Sequence, residues 1–216
     1  MSVRTVRSDR SDATRRRILD TAERLFAEYG VASVSNRQIS EAAGQGNNTA
    51  VGYHFGTKVH LVRAIVRRHT DDIERRRLDM VARTPSSPTP RDWVMCLVCP
   101  LADHLDSLGS PTWFARFSAQ VMTDPALREI LYEETLTSPS LLHTLDGLQQ
   151  CLPNLPVEVH LERSDMTRQL MVHMFAERER ALAEMSTTPR ASWRATAEGL
   201  ADAIVGLWSA PVTARP

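Results

Sequence analysis

Residues 34–58 read VSNRQISEAAGQGNNTAVGYHFGTK, and they decide how this chain folds. Ser35 and Gln38 stand at the S-x-x-Q spacing of a capping box. The serine oxygen can take an orphan amide of a helix start, and the glutamine can return a bond to the serine backbone. Ile39, Ala42 and Ala43 give the following helix an apolar face, and small alanines permit close crossing. Gly44 can adopt the left-handed backbone that ends it. Asn47 or Asn48 is a natural N-cap for a second short helix running through Ala50 and Val51 to about His54. Two short helices joined by a turn of three or four residues form a helix-turn-helix, whose second helix enters the DNA major groove.

The flanks extend this reading. Residues 12–29 place Ile18, Leu19, Ala22, Leu25, Phe26 and Tyr29 at offsets of three and four, one apolar helix face, with Gly30 to end it. Thr57 can cap a long helix over 58–83 that carries Leu61, Ile65 and His69 on one face. Asp71–Arg75 and Asp72–Arg76 stand at the i,i+4 spacing that supports an exposed helix end. TRRRILDTAERLFAEYGVASVSNRQISEAAG followed by YHFGTKVHL resembles the N-terminal domain of the TetR family of bacterial transcriptional regulators, over roughly residues 13–65. Two positions depart from the family pattern. Asn36 stands where an apolar residue or threonine is usual, and one extra residue separates Gly44 from the Tyr-His-Phe cluster.

Composition agrees with an ordinary globular chain: 42% hydrophobic and 24% charged residues, with no apolar run long enough for a membrane span. The N-terminus lacks a hydrophobic secretory segment, and three cysteines do not make a disulfide framework, so a cytoplasmic protein is expected. The formal net charge of zero conceals an asymmetry. Residues 1–83 hold 16 Lys and Arg against 10 Asp and Glu, and residues 84–216 hold 10 against 16. A basic third on an acidic body suits a phosphate-binding module joined to a regulatory one. The expected division is a flexible basic arm at 1–11 with Arg4, Arg7 and Arg10, a helix-turn-helix domain at 12–56, a connecting helix at 57–83, and an effector-binding and dimerisation domain at 84–216.

TPSSPTP at 84–90 marks the boundary, because three prolines in seven residues cannot continue a helix. Beyond it the chain reads as helices, giving an all-α fold. One helix carries Val94, Leu97, Val98, Leu101, Leu105 and Leu108, with Pro100 expected to kink or break it. Ser110-Pro111, Asp124-Pro125 and Ser138-Pro139 each look like an N-cap followed by a helix-starting proline. Apolar sets follow: Phe114, Phe117 and Val121, then Leu127, Ile130 and Leu131, then Leu141, Leu142, Leu145 and Leu148. The last two helices are expected at 157–185 and 191–209.

Candidate site residues fall into three groups. In the recognition helix, Asn47, Asn48 and Thr49 suit base edges, since an amide pairs bidentately with adenine and a threonine methyl meets that of thymine. One asparagine can instead serve as the cap. Gly52 permits close backbone approach, while Arg37, Lys58 and Ser35 are placed for phosphates. The resemblance implies that Tyr53 and His54 face the DNA backbone and that Phe55 is core. It also implies a dimer built from the last two helices, reading a palindromic operator on double-stranded DNA with half-sites a helical turn apart, ~34–36 Å. Ala195, Gly199 and Ala203 form a small-residue stripe for such a dimer, and Ile204, Leu207 and Trp208 supply apolar area; packing within the chain is the competing use of this face. Finally, the resemblance implies a small-molecule effector whose binding releases a repressor from DNA. Trp93, Cys96 and His104 with Pro100, then Trp113, Phe117 and Met122, then His143, His173 and Phe175, are candidates to line its pocket. No cofactor is expected.

Cys96-Leu97-Val98-Cys99 is a lone C-x-x-C without the strand context of a thioredoxin site or a second ligand pair for zinc. Buried core cysteines or a thiol sensor in place of an effector are its two readings. A helical enzyme would need a motif such as H-E-x-x-H, G-x-S-x-G or a phosphate-cradling glycine loop, and the sequence has none. A helical adaptor would leave the capped turn and the charge segregation without a use.

Overall fold

The computed structural model describes the backbone of residues 3–46 and 49–212 and the side chains of 11–46 and 49–212. Among them there are ten helices and no strand: α1 Val3–Tyr29, α2 Asn36–Ala42, α3 Ala50–Phe55, α4 Lys58–Val81, α5 Pro90–Ser107, α6 Phe114–Thr123, α7 Pro125–Leu136, α8 Pro139–Cys151, α9 Val157–Ala183 and α10 Trp193–Ser209. The first three form a head, α4 runs from it into the body, and α5 to α10 make the body. α5 lies at its centre, against α4, α8 and α10, while α6 packs on α9 and on α1.

Local signals set most helix ends. Ser35 and Gln38 close the capping box of α2, and Thr57 accepts from the His60 amide to start α4. Gly30 and Gly44 take φ of +82° and +66°, the left-handed conformation that ends α1 and α2 without a Cβ clash. Thr89 and Asp92 cap α5, Asp124 caps α7 and Ser138 caps α8, the last two just before the expected prolines.

Several expectations are corrected. α1 starts at Val3, so the stretch expected as an arm is helical in its backbone; the side chains of Arg4, Arg7 and Arg10 lie outside the described residues. No helix starts at Ser110-Pro111, whose peptide bond is cis; α6 begins only at Phe114. Arg75 bonds to Asp72 rather than Asp71, sharing that carboxylate with Arg76. Tyr29, Leu142 and Leu145 are exposed, so they do not belong to the apolar faces assigned to them. α5 also passes through Pro100 without interruption. The proline removes the amide that would bond to the Cys96 carbonyl, four residues earlier. The buried Arg77 of α4 fills the vacancy, its Nε donating to that carbonyl at 3.2 Å. A long-range partner thus satisfies what the local sequence leaves open.

The core is continuous from head to body. Ile18, Leu19, Ala22 and Phe26 of α1 pack with Ile39, Val51, Phe55, Leu61 and Ile65, and Phe26 meets Phe117 of α6 at 6.2 Å between ring centroids.

Candidate nucleic-acid interface and the body behind it

α2 ends at Ala42 and α3 begins at Ala50. Asn47 and Asn48, the leading base-contact candidates, lie outside the described residues. Thr49 is the N-cap residue of α3, where an asparagine was expected. Along α3, Ala50, Val51 and Phe55 face the core, which leaves Gly52, Tyr53 and His54 outward. Tyr53 is 83% exposed and meets the half-buried His54 edge-on at 5.1 Å. A Cβ added at Gly52 would have nothing within 4 Å, so that surface is open to an approaching partner.

Four cations or polar groups flank α3. Ser35 is exposed, and its oxygen is engaged with the backbone of Gln38. Arg37 projects from the first turn of α2 and pairs with Glu41 at 2.7 Å, which raises its pKa. Lys58 is half-buried and its ammonium donates to the Val31 carbonyl at 3.0 Å, tying the start of α4 to the chain just beyond α1. Arg15 was not picked out in the sequence reading. Its guanidinium lies 4.9 Å over the Phe55 ring, a cation–π contact that sets an exposed positive charge beside the end of α3. Only the fold brings those two positions together.

These surroundings separate two basic residues of the head. Arg37→Ala is expected to leave stability nearly unchanged, because its pair with Glu41 is exposed and screened by solvent. Lys58→Ala is expected to lower it by roughly 1.5–3 kcal/mol through loss of a charge-assisted hydrogen bond. Paired denaturant titrations check this, and equal stability losses would contradict it.

The effector-pocket candidates lie in differing surroundings. Trp93 and Cys96 are buried in α5, Trp93 edge-on to an exposed His143 at 5.4 Å. His104 and Phe117 are buried on either side of Phe114. Phe175 packs on Trp193 of α10, Trp113 lies under the Arg116 guanidinium, Met122 is half-buried, and His173 is exposed. Aromatic and soft residues at helical spacing have gone to separate parts of the core. Two surface depressions, of about 280 Å³ between α1, α6 and α9 and about 360 Å³ at the α8–α9 connection, are lined by none of them. Cys96 and Cys99 are core residues: burial pushes the Cys96 thiol up and the Cys99 thiol up to about 11. A thiol held protonated is a poor redox sensor.

The expected dimer residues also divide. Ile204 and Trp208 are buried within their own chain, Trp208 bonding through Nε1 to Thr167 of α9 at 2.9 Å, so neither offers area to a partner. Ala203 is exposed; Ala195 and Leu207 are half-buried, as is Gly199 beneath the Arg190 guanidinium. Instead α9 leaves Val157, Leu161, Met166, Met174 and Leu182 exposed. Elsewhere along its length α9 carries three buried charges that satisfy backbone groups of other elements. Glu179 accepts from the Ala115 and Arg116 amides at the start of α6, and Arg163 donates to the Trp208 and Ala210 carbonyls at the end of α10. Arg178 donates to the Arg190 carbonyl.

Among the described residues no group of three or more His, Cys, Asp and Glu side chains is placed to hold a metal ion, and no helix is long and apolar enough to cross a membrane. Residues 18–65 match the family described as bacterial regulatory proteins, tetR family. Residues 95–206, just over half of the chain, match the tetracyclin repressor-like C-terminal domain. No curated protein matches the sequence. Among solved structures, the fold is similar to a TetR family transcription regulator from Marinobacter aquaeolei VT8, with 17% identity, a TM-score of 0.60, and coverage of 91% of this chain and 97% of that one. NalD, the secondary repressor of the MexAB-OprM multidrug efflux pump in Pseudomonas aeruginosa, aligns at 23% identity and a TM-score of 0.57, over 91% and 96% of the two chains. A regulator from Mesorhizobium loti MAFF303099 aligns at 15% identity and a TM-score of 0.51, over 92% and 98%.

Proposed function

The chain belongs to the TetR family of bacterial regulatory proteins, which makes it a DNA-binding transcriptional regulator, and from that premise we propose that it is a cytoplasmic homodimeric repressor released from a palindromic operator by a small molecule. Regulators of this family are non-enzymatic, and we read this chain as no exception. The observation that carries the reading is the outward face of α3, with open space at Gly52, an exposed Tyr53, and Arg15, Arg37 and Lys58 around it. The division proposed is a head over 12–56 with its arm at 1–11, a connecting helix over 57–83, and an effector and dimer body over 84–216. Within the head, Asn47, Asn48 and Thr49 are proposed to read bases, and Ser35, Arg37, Tyr53, His54 and Lys58 to meet the backbone. A repressor role accords with NalD, itself a repressor.

For the dimer we propose the exposed apolar residues of α9 together with Ala203 and Leu207 of α10. α9 exposes five large hydrophobics along its length, apolar area that a second copy would cover. Leu161→Asp with Met174→Asp should shift the protein from dimer to monomer in sedimentation, while leaving its helical content intact. An unchanged dimer would place the interface elsewhere.

Gly52→Ala tests the DNA face without touching the core. It should raise stability by up to about 1 kcal/mol through helix propensity, yet weaken DNA binding, because the added methyl fills the space left for the backbone. Binding followed against salt should fall steeply for every variant, with the slope reduced by roughly one unit in Arg37→Ala. Undiminished binding by Gly52→Ala would show that this face does not meet DNA.

A further inference from the structure

A buried row of four titratable side chains joins α1, α4 and α5. Glu23 Oε2 lies 2.9 Å from His69 Nε2, His69 Nδ1 lies 2.8 Å from His104 Nε2, and His104 Nδ1 lies 2.7 Å from Asp72 Oδ2. The first three side chains are almost wholly buried, and Asp72 is 21% exposed. Each contact joins two nitrogen or oxygen atoms and needs one hydrogen between them. Two neutral imidazoles carry one N–H each, and two carboxylates carry none. Two protons cannot make three bonds. One contact would set lone pair against lone pair inside the protein, where an unmade hydrogen bond is costly.

We infer that Glu23, His69, His104 and Asp72 hold three protons between them, forming a strut from head to body that loses one bond when the third proton leaves, so that the coupling of head to body depends on pH. Its effect on DNA rests on the regulator reading above; its proton count does not.

The neighbours locate the third proton. Asp72 accepts from Arg75 and Arg76, the latter at 2.6 Å, and two guanidiniums hold it ionised. The proton therefore lies between Glu23 and His69, as an imidazolium beside a carboxylate or as a neutral ring beside a carboxyl, with the same count either way. Of the other charged groups nearby, Arg68 of α4 is paired to Asp20 of α1. α6 presents the Phe114 ring, stacked on His69 at 3.8 Å. Burial first, and His69 second, lower the His104 pKa to about 4, so His104 takes up no further proton near neutrality.

The linkage has a definite sign on each side. Above the ordinary imidazole pKa of about 6.5, the unfolded chain binds two protons at these histidines and the folded row binds three. Folding then weakens as pH rises, by up to tenfold in the equilibrium constant per pH unit, until the third proton is gone. Below about 6.5 the unfolded chain binds four and the folded row three, so folding weakens again towards the His104 pKa.

Glu23→Gln isolates the extra proton. The amide nitrogen can donate to His69 Nε2, which lets two neutral rings complete the other two bonds with no third proton. The expected result is a loss of stability above about pH 6.5 in the unaltered protein that Glu23→Gln abolishes, while the acid limb persists in both. Nitrogen NMR of the histidine rings should find both His69 nitrogens sharing protons in the former and one N–H per ring in the latter. Should Glu23→Gln not fold, His104→Gln serves instead, since its amide can donate to His69 Nδ1 and leave that ring neutral. Two singly protonated rings beside an ionised Glu23 carboxylate in the unaltered protein, or an alkaline limb unchanged by Glu23→Gln, would overturn the proton count. With DNA selected by the protein, affinity should vary with pH above 6.5 and cease to vary in Glu23→Gln. A constant affinity while the third proton is lost would overturn the coupling. Failure of both proteins to bind DNA would instead remove the regulator reading and leave the NMR result standing.

Discussion

Glu179→Ala is expected to destabilise the protein by roughly 3–5 kcal/mol, the cost of removing one partner from a buried charge pair. The Glu179 side chain is 2% exposed, and its two oxygens accept from the Thr112 hydroxyl at 2.6 Å, the Ala115 amide at 3.2 Å and the Arg116 amide at 2.8 Å. The Arg116 guanidinium approaches at 3.3 Å. Truncation leaves two orphan amides at the start of α6 and a largely buried cation without its anion. Glu179→Gln keeps one oxygen acceptor and should cost less than alanine. In a chain of this size the alanine variant should melt lower by about 10 °C. A loss below about 1 kcal/mol would show that α6 does not depend on α9 for its cap.

Gly147→Ala is the second large effect, and its sign should reverse with a neighbour. A Cβ built at Gly147, midway along α8, would stand 2.4 Å from Cε2 and Cζ2 of Trp93. No rotamer of alanine relieves that, and the indole is itself buried, so strain of roughly 2–3 kcal/mol is expected. Alanine otherwise favours a helix interior over glycine by up to about 1 kcal/mol. In a Trp93→Leu background, where the ring is gone, Gly147→Ala should therefore be neutral or stabilising. Trp93 Nε1 makes no hydrogen bond, so that background loses packing rather than a polar partner. A full thermodynamic cycle by urea titration would show the reversal. Equal costs in both backgrounds would mean that the α5–α8 approach is looser than the structure has it.

The legible part of this fold is the part written within four residues. Capping at Ser35, Thr57, Asp124 and Ser138 and helix ends at Gly30 and Gly44 involve atoms three or four positions apart, and all formed as read. The partners that could not be read are distant in sequence. Arg77 bonds to a carbonyl 19 residues away, Glu179 to amides 63 and 64 away, and Arg163 to the end of a helix 45 and 47 away. Composition treats each as one more charge on a long polar helix; only the fold turns them inward. The pocket candidates meet the same limit, because a Trp, Phe or Met at helical spacing looks alike whether it lines a cavity or fills a core. Trp208 and Ile204 failed as dimer residues for that reason too. The outward face of α3 was easier to read, since the pattern that buries Val51 and Phe55 leaves Gly52 and Tyr53 outside.

Selection of bound sequences from random double-stranded DNA, with the full chain at near-physiological salt, tests the central claim most directly. The account predicts enrichment of a two-fold symmetric site with half-sites about a helical turn apart or a multiple of it, ~34–36 Å. Enrichment should be lost in Gly52→Ala while the fold persists. A protein that is folded and dimeric yet retains no DNA, at this salt or a lower one, would contradict it.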